Sequence, residues 1–253
     1  MNLISRSRSS FDSYLRQYFV NIISGLLFML FFIGLNLDSN RGSREGFSEW
    51  GVPASEEIRD GKIWGLITSN FAETNPLFLL FALGWLWRLG TYIEGKLGSR
   101  RYAWFVLSSC IFIATMEIAF FGETGYGFGP MTCAMFGFVF VKSYTNSSWS
   151  ISPETGIRLV VWVAICFCIN HWEFYRISYG GFVFGFVWGS FLAYCGRLRH
   201  KLPREALPFV ILVLCAVPLK WAPWSANWLK YEAYKHARAR DYRVAQDFFF
   251  ESS

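Results

Sequence analysis

Two short stretches of the chain place small and polar residues inside apolar segments. Gly129–Gly137 contains Thr132 and Cys133, and the apolar run that it opens continues to Val141. Ser178–Gly185 opens a second apolar run and combines a serine with three glycines. A hydroxyl or thiol becomes a nucleophile when a neighbouring base takes its proton. We therefore predict two helices that pack face to face, with the polar residues between them deciding the function.

Few groups in the sequence could activate such a nucleophile. The chain has three histidines, and His171 is the one near these stretches, about two helical turns before Ser178. An imidazole is the usual base near neutral pH, but an interfacial histidine without a chemical role is the commoner case, so geometry must decide. Cys133 has no evident neighbour that would favour the thiolate.

The composition indicates an integral membrane protein. Of 253 residues, 53% are hydrophobic and 17% charged, whereas soluble domains carry about a quarter charged residues. The apolar residues form long blocks, which favours one membrane domain. All six cysteines lie in apolar runs, so no disulfide framework is indicated. No Walker-type loop or HExxH motif occurs. We expect no metal, no cofactor and no nucleic-acid partner.

The apolar runs predict an all-α fold in which six helices cross the membrane, each needing about 20 residues. The predicted spans are Phe19–Leu37, Pro76–Ile93, Tyr102–Phe121, Phe128–Val141, Arg158–Ile169 and Ile177–Tyr194. Residues 1–16 form a basic segment before this bundle, residues 17–196 the membrane domain, and residues 197–253 a basic extension.

Basic residues alternate with acidic or sparsely charged loops along these spans. Lys96, Arg100 and Arg101 follow the second span, and Lys142 and Arg158 flank the loop after the fourth. By the positive-inside rule we expect both termini in the cytoplasm. No small-residue cleavage site follows the first apolar run, so we expect it to be retained. The bacterial inner membrane is the expected location.

Two further regions carry predictions of their own. Residues 38–62 form a loop too long for a simple connection, whose Phe47 and Trp50 suit a membrane interface. Phe209–Pro218 is too short to cross alone, so we expect it to be interfacial or packed on the bundle. Trp224–Phe249 has the spacing of a basic amphipathic helix on anionic headgroups, and a solvated helix is the alternative.

Five motifs, taken in chain order, resemble the core of the rhomboid intramembrane proteases. They are Trp64–Phe71, Leu79–Phe81, Gly90 with Glu94 and Gly98, Ala134–Gly137, and Gly180–Gly185. The fourth is similar to the end of the family's Gly-x-Ser-Gly-x-x-Phe-Gly motif, and the fifth to its His-x-Gly-Gly-x-x-x-Gly motif. The resemblance covers about Gly51 to Tyr194. It implies a six-helix rhomboid-like bundle with a short amphipathic C-terminal extension.

The same resemblance assigns the catalytic positions. In the family, a histidine on the sixth helix takes the proton of a serine on the fourth, which attacks a peptide carbonyl. Here Thr132 falls at the serine, Cys133 at the glycine after it and Ser178 at the histidine. The aromatic residue that stacks on the histidine is retained in type as Phe136. The dyad is therefore absent.

The oxyanion side of the resembling site is also substituted. The family's histidine and asparagine donors fall on Phe78 and Ala82, and the histidine of the Phe-Leu-His loop motif falls on Glu73. Loss of one oxyanion donor costs on the order of 10²–10³ in rate. What persists is a glycine strip that includes Gly181 and Gly185, which we expect to pack against Phe136 and Gly137.

Three hypotheses follow for the function. The favoured one is a catalytically inactive rhomboid pseudoprotease that binds membrane lipids and transmembrane segments of client proteins. The second is an intramembrane serine-type endopeptidase with a rebuilt site, in which Thr132 or Cys133 is assisted by His171 or Glu73. The third is a membrane assembly protein whose basic tail recruits a partner. The oligomeric state is left open.

Overall fold

The computed structural model describes residues 17–37, 44–123, 125–150, 152–171, 179–196 and 201–251, and all regular secondary structure in these ranges is helical. The helices are α1 Phe19–Leu37, α2 Arg44–Glu49, α3 Ser55–Arg59, α4 Gly65–Thr68, α5 Pro76–Trp85, α6 Thr91–Leu97, α7 Ser99–Phe121, α8 Gly129–Ser143, α9 Pro153–His171, α10 Tyr179–Cys195, α11 Lys201–Lys220, α12 Ala226–Arg238 and α13 Tyr242–Glu251. The predicted all-α class is confirmed.

Helices form at all six positions where the sequence predicts membrane spans. Within the described ranges, the stretches long and apolar enough to cross a bilayer are Phe19–Leu37, Pro76–Leu97 and Ser99–Phe121. The second contains α5 and α6, joined without a break by a π-helical turn at Leu86–Gly90. Length and composition thus make α1, α5–α6 and α7 candidate membrane spans.

A buried carboxylate fastens α1 to α6. Glu94 is 0% exposed and accepts hydrogen bonds from the N–H groups of Val20 at 3.0 Å and Asn21 at 2.9 Å. These N–H groups lie in the first turn of α1, where the helix leaves its donors unsatisfied and its dipole favours negative charge. Tyr102 of α7 adds a hydrogen bond of 3.2 Å to the Asn21 side chain. Glu94 therefore orients α1 against α6 and α7.

Gly90 and Gly98, on either side of Glu94, are each required to be glycine, for different physical reasons. A Cβ atom at Gly90 would lie 2.0 Å from Asn21 Oδ1 and 2.6 Å from Tyr102 Oη, so a side chain would break this contact. Gly98 has φ of 79°, in the left-handed region that favours glycine, and separates α6 from α7. The motif therefore builds the junction of three helices.

Of the long loop predicted at residues 38–62, residues 38–43 lie outside the described ranges, and the rest, which we call the loop cap, packs on the bundle. Val52 and Ala72 are buried with Leu35, and Phe47 and Trp50 pack against this group. The motif that begins with the exposed Trp64 forms α4 and a 3-10 turn at Ser69–Phe71. Asn70 ties the motif to α7 through hydrogen bonds from its side-chain amide to the carbonyls of Leu66 and Cys110, at 3.1 and 3.4 Å.

The apolar run near Phe209 belongs to a longer helix than the sequence suggests. α11 has 20 residues, and Pro208 and Pro218 lie inside it rather than at its ends. Leu212 is buried against Phe112 of α7 and Trp188 of α10, whose rings stack at 4.3 Å. This run is expected from the sequence to lie at the membrane interface or to pack on the bundle, and the structure shows that it packs on the bundle.

The C-terminal tail folds as two helices, which corrects the prediction of one. α12 and α13 form a C-terminal hairpin whose turn contains Arg240, with φ of 63°. The Phe248 ring packs at 5.9 Å from Trp228 and 5.7 Å from His236. A continuous helix would leave these rings unpaired in water, so their contact favours the break.

This hairpin docks on the bundle rather than standing free in solvent. The Trp224 indole donates to the Ala119 carbonyl at 2.9 Å, and the Asn227 amide to the Phe121 carbonyl at 3.4 Å. At the other end of α7, Ser99 Oγ lies 3.5 Å from the Gln17 carbonyl. The start of α1 and the C-terminal hairpin therefore lie at opposite ends of α7.

Replacing Glu94 tests the junction of α1 and α6. Glu94→Ala leaves the buried Asn21 N–H and the partly buried Val20 N–H without their acceptor, so we expect the free energy of unfolding to fall by about 2–3 kcal/mol. Tryptophan fluorescence during SDS titration of detergent micelles measures this change. Glu49→Ala, at an exposed position in the loop cap, is the control and should unfold like the wild type. Equal stability of both variants would contradict this role for Glu94.

Candidate functional site

α8 and α10 meet with their backbones in close approach. A Cβ atom at Gly185 would lie 2.1 Å from the Pro130 carbonyl oxygen, and one at Gly189 would lie 1.9 Å from that of Ala134. Across the same interface, a Cβ at Gly137 would lie 2.4 Å from the Phe186 carbonyl oxygen. Backbone atoms cannot rotate away as side chains can, so each position requires glycine.

Thr132 lies in the first turn of α8, inside the protein core. It is 1% exposed, and its N–H donates to the Phe128 carbonyl at 2.9 Å. Met131 and Cys133 beside it are also buried. Phe136, one turn later, has its ring 5.9 Å from Phe140 and 6.4 Å from Phe186. The aromatic side chain at this position thus stacks on phenylalanines.

The histidine position of the resembling motif, Ser178, lies outside the described residues. The side chain of His171, at the end of α9, lies outside them as well. His236 has a described side chain, and it stacks on Phe248 with Asp241 at 3.9 Å. No imidazole–Thr132 hydrogen bond is therefore part of the described structure.

The two positions that the resemblance assigns to the oxyanion side, Phe78 and Ala82, lie where α5 and α9 form an aromatic contact. Phe78 is buried with its ring 5.4 Å from Trp162, and Phe81 lies 4.6 Å from the same indole. Ala82 is buried next to them on α5. We call Phe78, Phe81 and Trp162 the α5–α9 seam. Neither Phe78 nor Ala82 has a side-chain group that can donate to an oxyanion.

A polar clamp closes one end of this seam. The Arg88 guanidinium donates to Thr155 Oγ1 at 2.9 and 3.2 Å, and Ser152 Oγ lies 2.9 Å from the same oxygen. Arg88 lies in the π-helical turn and Thr155 in the first turn of α9. Between the clamp and Phe78, the described contacts of the seam are ring contacts, which carry no directional polar bond.

Two buried carboxylates flank the segment that leads into α8. Glu73 accepts N–H hydrogen bonds from Thr74 at 3.0 Å and Asn75 at 3.3 Å, and a Cβ at Gly127 would lie 3.2 Å from its other oxygen. Glu117 of α7 is 2% exposed and accepts the Gly125 N–H at 3.1 Å. Glu117 therefore holds the backbone before α8, while Glu73 holds the backbone before α5 and lies beside Gly127. Among the described residues no cluster could hold a metal ion.

Glu117 also reaches α10, and the sequence analysis missed it. A Cβ at Gly181 would lie 2.4 Å from Glu117 Oε1 and 2.7 Å from Pro130 Cγ. The carboxylate thus fills the space beside the glycine strip and joins α7, α8 and α10. Its signal in the sequence is an acidic residue inside an apolar span, a rare and costly arrangement in membrane helices.

Comparison with known proteins adds the evolutionary context. The family model described as "Rhomboid domain" matches residues 60–199. The rhomboid proteases GlpG of Salmonella paratyphi A and Salmonella newport are each 22% identical over 140 residues, which cover 55% of this chain and 51% of each relative. The chain thus spans about half the length of the curated relatives that it matches. Residues 60–199 include every site position discussed above.

Paired glycine substitutions test the close approach of α8 and α10. Gly189→Ala places its methyl group against a backbone oxygen, so we expect a loss of about 1–3 kcal/mol in unfolding free energy. Gly84→Ala is the matched control, because nothing lies within 4 Å of the added atom. Alanine is the better helix former there and should stabilise slightly. Equal unfolding midpoints for the two variants in detergent would contradict the packing described.

Proposed function

This chain belongs to the rhomboid family, and we propose that it is a catalytically inactive member that binds transmembrane segments of client proteins. One feature of the sequence carries the proposal: Thr132 and Ser178 stand at the positions that the motif resemblance assigns to the family's serine and histidine. A serine hydroxyl cannot accept a proton near neutral pH as an imidazole does. The β-methyl group of Thr132 also restricts the rotation of its hydroxyl.

The surroundings of Thr132 support the loss of activity. Peptide hydrolysis needs water, a base and oxyanion donors at one point. Thr132 is instead enclosed among buried apolar residues, and α5 presents Phe78 and Ala82 toward α9 and the core. Two missing donors at 10²–10³ each, together with the missing base, remove most of the rate enhancement of such a site.

The α5–α9 seam is the proposed entry for a client helix. Its ring contacts are worth about 0.5–1.5 kcal/mol each, so the helices can separate without breaking buried hydrogen bonds there. The Arg88–Thr155 clamp keeps the two helices together at one end while the other end opens. Membrane helices associate mainly through van der Waals packing and occasional polar contacts, which an opened seam offers.

We further propose a topology of seven crossings in a bacterial inner membrane. The spans are α1, α5–α6, α7, α8, α9, α10 and α11. The 20 residues of α11 extend about 30 Å, the thickness of the hydrocarbon core. The Lys220 ammonium at its end donates to the Arg59 carbonyl at 2.6 Å, in the loop cap far from Lys96. The positive-inside rule keeps the Lys96 end cytoplasmic, so the C-terminal hairpin is extracytoplasmic.

Reporter fusions test this topology. A fluorescent protein that folds only in the cytoplasm, fused after Ser253, should stay dark, whereas periplasmic alkaline phosphatase at the same place should be active. The control truncates the chain after Gly196, before α11, where the two signals should reverse. A fluorescent full-length fusion would mean that α11 does not cross the membrane.

Proteolysis in liposomes tests the absence of activity. We expect the wild type and Thr132→Ala to leave helix-destabilised transmembrane substrates intact, with Salmonella GlpG as the cleaving control. Cleavage that disappears in Thr132→Ala would contradict the proposal and support a rebuilt peptidase site.

Photocrosslinking tests client binding separately. A photoreactive residue in place of Phe81, at the α5–α9 seam, should capture transmembrane segments of membrane proteins. The same residue in place of Leu26, an exposed apolar position on α1, is the control. Equal capture at both positions would show contact with passing lipid-embedded helices and would oppose a specific seam.

A further inference from the structure

A cavity of about 970 Å³ opens between α7, α8, α10 and α11 at the end of the bundle opposite to the C-terminal hairpin. Its wall is apolar and largely aromatic, with Trp104 and Phe105 from α7, Phe138 from α8, Leu192 from α10 and Phe209 from α11. The volume lies at the upper end of the range for sites that enclose small molecules, about 300–1,000 Å³.

The packing of α11 explains why the space is there. In its second half, α11 is anchored to the bundle, because Leu212 packs with Phe112 and Trp188 and Leu219 packs beside Ile58 of the loop cap. In its first half, Ala206 and Phe209 line the cavity instead of filling it. The gap therefore widens toward the end where α7 begins.

Three cationic side chains line this end of the cavity. Arg100 and Arg101 lie in the first turn of α7 and are exposed, and within the described residues neither guanidinium pairs with a carboxylate. Lys142 lies in the last turn of α8, with its ammonium 5.8 Å from the Phe138 ring. A Cβ at Gly196 would lie 2.8 Å from the same ammonium, so the glycine leaves room for it.

We infer that this cavity binds an anionic glycerophospholipid of the cytoplasmic leaflet, with its phosphate held by Arg100, Arg101 and Lys142 and its acyl chains on the aromatic wall. The two parts of the site match the two parts of such a lipid. Guanidinium groups hold phosphate oxygens in pairs, and basic pockets between membrane helices on the cytoplasmic side recognise anionic headgroups. The apolar wall favours a ligand with chains over free phosphate. The inference rests on the proposed topology, which places the start of α7 on the cytoplasmic side, and is independent of client binding.

Native mass spectrometry of the full-length protein, released from detergent micelles, tests the site. Phosphatidylglycerol and phosphatidylcholine of equal chain length are titrated in parallel. We expect the wild type to bind phosphatidylglycerol more tightly. Arg100→Gln/Arg101→Gln should weaken phosphatidylglycerol binding about 10- to 30-fold, since each basic residue near an anionic headgroup contributes a factor of about five. Phosphatidylcholine binding should fall less, because the choline cation of its headgroup already offsets the phosphate charge that the arginines attract.

Two matched variants and one competitor make the result specific. Lys230→Gln/Lys235→Gln removes two exposed charges from the C-terminal hairpin and should bind as the wild type does. Ala206→Trp fills the cavity while keeping its charges, and should weaken phosphatidylglycerol binding. Glycerol phosphate, which has no chains, should fail to displace the lipid. Unchanged binding in the arginine variant or in Ala206→Trp, equal loss in the lysine variant, or displacement by glycerol phosphate would each overturn the inference.

Discussion

The close approach of α8 and α10 is the constraint on which the site depends. Carbonyl oxygens of Pro130 and Ala134 occupy the space where Gly185 and Gly189 would carry side chains. Lipid tails are as apolar as the helices, so the hydrophobic effect does little to hold two membrane helices together, and close packing must do so. Thr132 lies between Pro130 and Ala134 on α8 and is 1% exposed. Because backbone contacts fix the two helices, their arrangement does not depend on a polar side chain at Thr132.

Buried carboxylates set the remaining helix positions. Glu94 accepts hydrogen bonds from two backbone N–H groups in the first turn of α1. Glu117 accepts one from the Gly125 N–H, in the segment before α8, and also lies beside Gly181 of α10. A buried carboxylate is tolerated when hydrogen bonds such as these satisfy it. Removing either one would leave both an unpaired donor and an empty space, so these residues specify one arrangement of the bundle.

Sequence patterns could locate the helices because long apolar runs have few other stable structures in a membrane. The resemblance to rhomboid motifs likewise placed Thr132 on α8 and Gly181 on α10. Local patterns could not give the length of α11, since Pro208 reads as a helix boundary although tertiary packing carries the helix through it. Local patterns also could not show the C-terminal hairpin, because the turn between its helices depends on the contact of Phe248 with Trp228. The same holds for Glu117, whose partners Gly125 and Gly181 lie eight and 64 positions away in the sequence.

The two ends of the bundle differ in how closely the C-terminal elements pack against it. At the hairpin end, Tyr231 donates to Asp60 at 2.5 Å, and burial raises the pKa of Tyr231 to about 12, so the phenol keeps its proton throughout the physiological range. Arg59 beside it is 1% exposed with the Tyr231 ring 5.7 Å away. At the other end α11 leaves a wide, basic gap. Since α11 contacts α7 and α10 while the described ring contacts of α9 are with α5, separation of the α5–α9 seam leaves the gap intact. Occupation of the proposed lipid site and opening of the proposed client entry therefore involve different helix contacts.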